Sequence, residues 1–245
     1  MRSKQLALVL SGLTGAWLLL GCAATAPPAQ PQAALEATQA ASPAWQATYA
    51  ELARGGGKVY RLEPENSTVR IYVFRGGRAA KVGHNHVLSA PKFAGFVYLP
   101  SAGFANTRFD LEFRLDELEF DNPETRASLG SAYASALSND DIRGARDHML
   151  GDENLQAKRF PFVRVHGVGV IGEAPKLAAN VQVELHGQMR PMWLPLTVEG
   201  LSDRITISGS FVLRQSDFGV SPYSVLGLLA VQDEVVIEFR LLGVG

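Results

Sequence analysis

From Val59 onward the sequence alternates apolar and polar residues with a period of two, and this limits the fold more than any other property of the chain. Successive side chains of a strand point to opposite faces, so each alternating run is half apolar and half polar. The run RFDLEFRLDELEF sets Phe109, Leu111, Phe113 and Leu115 against Asp110, Glu112, Arg114 and Asp116. In LAANVQVELHGQM, Leu177, Ala179, Val181, Val183 and Leu185 face one way, and Asn180, Gln182, Glu184 and His186 the other. Val69, Ile71 and Val73 behave likewise, and further runs lie at 93–99, 162–170, 193–198, 204–213 and 235–242. Half-apolar strands of this kind build an antiparallel sheet with one wet face. Closing the sheet removes its edges, and about eight strands make a barrel able to hold one small ligand. The expectation is an all-β antiparallel barrel. Phe109, Leu111, Phe113, Val181, Val183, Phe211 and Leu213 face inward, where they either line a cavity or fill it.

The first residues belong to an address rather than to a fold. Arg2 and Lys4 precede the apolar run LALVLSGLTGAWLLL, which is too short and wrongly flanked for a spanning helix. It ends in Leu19-Leu20-Gly21-Cys22, which resembles the bacterial lipobox: residues 1–21 would be a signal peptide and Cys22 the lipidated mature N-terminus. Cys22 is the only cysteine, so the exported domain has no disulfide of its own and rests on its core. Ala23 after the cysteine implies sorting to the outer membrane, facing the periplasm. Residues 22–57 open with an Ala-, Pro- and Gln-rich tether that cannot form a core. A short helix follows, begun by Ser42-Pro43 and stopped by Gly55-Gly56-Gly57, with Trp45, Tyr49 and Leu52 on one face. That face either docks on the barrel, the favoured reading, or touches lipid. Residues 58–245 form the barrel domain.

The charge balance excludes one class of partner. The chain has 23 basic and 24 acidic residues, and losing Arg2 and Lys4 with the leader takes the formal charge from −1 to −3. Without a basic run, nucleic acid is not an expected partner. No serine has a Gly-x-Ser-x-Gly setting and no glycines have phosphate-binding spacing, so enzymatic function is not expected. A helical excursion interrupts the strands at 123–158: Asn122-Pro123-Glu124 starts one helix and Ser138-Asn139-Asp140-Asp141 a second, whose stripe is Ile142, Ala145 and Met149.

The stretch KVGHNHVLSA, 81–90, places Val82, His84, His86 and Leu88 on one face if it is a strand. Three readings of the pair stay open. In the first, the imidazoles are core groups satisfied by backbone or water. In the second they hold a ligand's polar head, and in the third they join His148 as three ligands to zinc or a similar metal, with Asp147 or Asp217 orienting them. His186 falls on the polar side and is expected to be exposed, while His166 sits where Gly167 and Gly169 disturb the pattern. Arg214 and Asp217 are a candidate ion pair. SVLGLLAV, 224–231, reads as an apolar lid or a short helix plugging one barrel end.

Four segments together resemble the YceI-like family: RDHMLGDENLQAKRFPFVRV (146–165), LHGQMRPMWLPLTVEG (185–200), LRQSDFGVS (213–221) and AVQDEVVIEFRL (230–241). The resemblance spans about residues 58–242. It implies a lipocalin-like barrel whose interior holds a long-chain amphiphile such as a polyisoprenoid, an isoprenoid quinone or a fatty-acid derivative. His148 matches a histidine of the family's pattern. The histidine of its opening Asp-x-x-His-Ser segment is replaced here by Asn66, with Glu63 in place of the aspartate. The leading expectation is therefore a membrane-tethered binding protein with a hydrophobic small molecule as partner. A metal-dependent protein and a structural lipoprotein with a filled barrel are its rivals.

Overall fold

A computed structural model describes residues 42–200 and 202–245. The leader, Cys22 and the tether before Ser42 lie outside the described residues. The strands are β1 (Lys58–Leu62), β2 (Thr68–Gly76), β3 (His86–Ser89), β4 (Ala94–Leu99), β5 (Arg108–Arg114), β6 (Glu119–Phe120), β7 (Phe162–Glu173), β8 (Lys176–Leu185), β9 (Gln188–Glu199), β10 (Arg204–Arg214), β11 (Ser224–Val225) and β12 (Leu229–Val244). The helices are α1 (Ser42–Arg54), α2 (Pro123–Ser128) and α3 (Asn139–Leu150).

Every pairing is antiparallel, and the order β1-β4-β5-β7-β8-β9-β10-β12 closes on itself where Arg61 and Leu62 of β1 meet Val244 and Gly243 of β12. The result is an eight-stranded barrel, as the alternation requires. Closure depends on the length of β12. Its 16 residues run along β10 on one side and along β2, then β1, on the other. β2 and β6 continue the lines of β1 and β5 beyond short 3₁₀ turns, and β3 leads into β4 through residues 90–93, so the barrel flares at that end. Burial in β8 alternates residue by residue, with Leu177, Ala179, Val181, Val183 and Leu185 buried.

The excursion between β6 and β7 occupies the flared end. Asn122 caps α2 by accepting the Glu124 and Thr125 N–H groups. Ser138 and Asp141 form a capping box at the start of α3, and Gly151 ends it. The chain then folds back, Leu155 N–H to Met149 carbonyl and Ala157 N–H to Leu150 carbonyl, which turns Met149 and Leu155 toward the barrel axis.

α1 docks on the barrel. Tyr49 is buried, stacks on Phe96 at 5.2 Å and donates to Asp110 Oδ2 at 2.8 Å. The apolar face of the helix thus packs on the barrel, and part of the barrel's outer face is covered. Glu112 and Arg164 are 3 % and 6 % exposed although both lie on the polar side of their strands. They pair at 3.3 Å, and Arg164 also reaches Glu184 at 3.2 Å. The Ser42 N–H donates to Glu112 Oε1 at 2.7 Å.

Candidate functional site: an apolar cavity along the barrel

The inward faces of the eight strands leave a cavity of about 210 Å3. Phe109, Leu111 and Phe113 of β5, Val183 of β8, and Phe211 and Leu213 of β10 line it, as the alternation predicts. Val181 is also inward and fully buried, but it packs in the core and does not reach the cavity wall. Val163 and Val165, Leu194 and Leu196, and Ile237, Phe239 and Leu241 carry the wall through β7, β9 and β12, and Leu62 and Val97 through β1 and β4. These carry the same period-two signal and were legible by it. Met149 and Leu155 close the flared end; Leu155 carries no sequence signal, because a reversed turn rather than a strand or helix face delivers it.

Among the described residues the wall is apolar except for Asp110 and Gln215. Asp110 turns its carboxylate to the outer side, where Tyr49 and His166 bond it. Gln215 follows β10 at the capped end, its amide donating to the Gln232 carbonyl at 2.9 Å. An interior this poor in polar groups selects ligands by buried apolar area, at roughly 25 cal/mol per Å2.

The histidines do not line this cavity. Residues 80–82 form a 3₁₀ turn and the strand begins only at His86, so alternation does not extend to Val82 and His84. The cause is Asn85. Its Oδ1 accepts the Arg75 N–H at 3.1 Å and its amide donates to the Ala132 carbonyl, so a side chain ends the ladder where a strand would have continued it. Val82 projects into solvent, 72 % exposed. His84 Nδ1 lies 3.0 Å from Ser135 Oγ. His86 Nδ1 donates to Asp121 Oδ2 at 2.6 Å. His148 lies edge-on to Tyr223, ring centroids 4.1 Å apart. The three expected metal ligands thus have three separate partners, and among the described residues no three His, Cys, Asp or Glu side chains converge as a metal site.

The polar centre nearest these histidines is Asp121, which the sequence reading missed. It sits at φ +49°, 1 % exposed, and binds Arg126 at 2.6 Å, His86 and the Val87 N–H. Burial raises its pKa, but the bonds from His86, Val87 and Arg126 outweigh burial and hold the carboxyl below the ordinary range. Arg126 also donates to the carbonyls of Asn85 and Ser135 and to Ser135 Oγ at 3.2 Å. Ser135 and His84 resemble part of a nucleophilic relay, yet the carboxylate that would complete it bonds His86 instead. The network fastens the His84–His86 loop to α2.

Three further expectations are corrected. Arg214 pairs with Glu234 at 3.0 Å, not with Asp217. His186 is not exposed: at φ +52° in the β8–β9 turn it packs edge-on against Phe160 and bonds the Phe218 carbonyl, and its Nε2 is buried without a partner. Residues 224–231 are neither helix nor plug. They form the β11–β12 hairpin, which projects from the flared end, and residues 224–229 contribute nothing to the cavity wall.

A closed antiparallel barrel around an apolar, helix-capped cavity defines a lipocalin-like class of binding fold. Residues 60–242 match the YceI-like domain, and the chain belongs to that family. BcnA of Burkholderia cenocepacia shares the fold at 17 % identity, TM-score 0.54, over 74 % of this chain and 98 % of its own. A YceI protein of Campylobacter jejuni superposes at 12 % identity, TM-score 0.48, over 64 % of this chain and 84 % of its own. No curated protein sequence matches the chain.

Proposed function

We propose that this protein is a cell-envelope lipoprotein, anchored through acylated Cys22 and facing the periplasm, that holds a long-chain amphiphile such as a polyisoprenoid, an isoprenoid quinone or a fatty-acid derivative in its barrel. The observation that carries the reading is the cavity wall, built of apolar side chains from every strand of the closed barrel. Gln215, on the cavity wall at the capped end, is the contact for a polar head group; His84, His86 and His148 lie off that wall. Binding without chemistry is the role assigned, and the apolar tail supplies the affinity.

Native mass spectrometry of the mature chain, purified from an envelope fraction without chelators, tests the reading. A co-purifying apolar species of discrete mass is expected. Adding that species to stripped protein should stabilise it by about 2.7 kcal/mol at a hundredfold excess over Kd. A ligand-free mass, together with candidate lipids that leave the melting temperature unmoved, overturns the proposal in favour of a structural barrel.

A further inference from the structure

The flared end of the barrel carries an exposed apolar projection. Tyr223, Val225, Leu226, Leu228 and Leu229 of the β11–β12 hairpin are 43 %, 40 %, 86 %, 45 % and 36 % exposed, and Val82 of the neighbouring loop adds a sixth apolar side chain. The projection is built rather than loose. The Leu228 N–H bonds the Val225 carbonyl, the Val231 N–H bonds the Tyr223 carbonyl, and the Ala79 N–H bonds the Leu228 carbonyl at 2.8 Å. Gly77 lies so close to the hairpin that a Cβ there would fall 2.5 Å from the Leu228 carbonyl oxygen. Loop and hairpin are therefore one layer, held by backbone bonds, with its apolar side chains facing water.

Beside this tip stand Arg75, Arg78 and Lys81, all exposed, and none forms an ion pair with a carboxylate among the described residues. Arg75 spends its donors on the Lys81 and Gly83 carbonyls, which fixes its guanidinium beside the tip without neutralising it. Apolar side chains at the apex with cations beside them suit the two components of a bilayer surface, acyl chains and anionic head groups. The tip also adjoins the cavity's cap: Tyr223 packs on His148, and Asn154 donates to the Ser221 carbonyl at 2.9 Å, on the element that supplies Met149 and Leu155 to the wall.

We infer that residues 75–83 and 223–229 form a membrane-docking edge that seats in an anionic lipid surface and turns the capped end of the cavity toward the bilayer. The inference deepens the binding role proposed above, because it gives a lipid-derived ligand a route that avoids water. Docking itself is a property of the barrel surface and is tested without any cargo.

The test uses the chain from residue 22 onward with Cys22→Ser, so that no acyl group contributes. Co-sedimentation is measured with vesicles of phosphatidylcholine alone and of phosphatidylcholine with a minor fraction of phosphatidylglycerol. Binding is expected to the anionic vesicles and to fall at least about tenfold in an Arg78→Ala/Lys81→Ala variant. It should fall to background in Leu226→Ser/Leu228→Ser, with circular dichroism and melting temperature unchanged in both. A Leu226→Trp variant should show emission quenched by lipids brominated on the acyl chain. Vesicle binding unaffected by either double substitution, or no vesicle binding at all, overturns the inference. Tip-dependent self-association without vesicle binding overturns it too, and assigns the edge to a second copy of the chain. Because none of these measurements involves a cavity ligand, failure here leaves the mass-spectrometric test of cargo standing, and the reverse holds.

Discussion

Asp121 keeps its charge with its side chain fully out of solvent because His86, the Val87 N–H and Arg126 all donate to it. Removing the charge strands the Arg126 guanidinium, itself 6 % exposed, opposite a neutral group. Asp121→Asn should therefore destabilise the fold by about 3–5 kcal/mol in urea denaturation, the usual cost of breaking a buried pair. The pH dependence has a definite sign. The folded carboxyl titrates below its unfolded value of about 3.9, so its contribution is complete at neutral pH. As pH falls below about 4 the unfolded chain takes up the proton first, and that stability is lost down to the folded pKa. The gap between wild type and Asp121→Asn should narrow over the same window; a constant gap would remove the charge from the explanation. Gly167 makes a second residue-level case. It lies inward on β7, and a Cβ there would meet the Phe109 ring at 2.3 Å. Gly167→Val should push that ring into the cavity, lowering ligand content at a cost of about 1–3 kcal/mol.

Among the elements, α1 shows what a repeating pattern conveys and what it misses. Its start at Ser42-Pro43, its end before the glycines and its docking face through Tyr49 were all legible, because they depend on neighbours within one or two turns. That Asp110 and Glu112 would be bonded by it was not, since alternation marks them only as outward and says nothing of what lies outside. The loop at 80–85 failed for a related reason: one side-chain bond, Asn85 to the Arg75 N–H, ended the strand, and no periodicity encodes such a bond. The hold on α1 can be measured. Burial first, and the Asp110 charge second, push the Tyr49 pKa well up, so the phenol remains a donor at any working pH. Tyr49→Phe removes a hydrogen bond to a charged acceptor, worth about 1.5 kcal/mol or more. Trypsin should then cut after Arg54 about tenfold faster under native conditions, while the global melting temperature moves little. An unchanged cleavage rate would show that the Phe96 stack and the Ser42–Glu112 bond hold the helix without the phenol's hydrogen bond.

At the scale of the whole molecule, the inward faces were legible but the space between them was not. A period of two places Phe109, Val183 and Phe211 inside; whether eight such faces meet or leave room depends on how side-chain volumes sum across strands far apart in sequence. The barrel leaves room, and Ala179 and the glycine at 167 are among the small inward groups that keep it. A hollow barrel and a filled one answer differently to the same substitution. Val183 is 2 % exposed yet lines the cavity, so it has packed neighbours behind it and open space ahead. In a filled interior Val183→Phe would overpack the core and cost about 1–3 kcal/mol. Here the added ring can enter the cavity, so the ligand-free protein should lose less than about 1 kcal/mol. The ligand recovered from envelope preparations should fall sharply, because ring and ligand compete for one volume. Lost stability with undiminished ligand would mean that the bound molecule sits outside the barrel, and the binding site would then have to be sought on its surface.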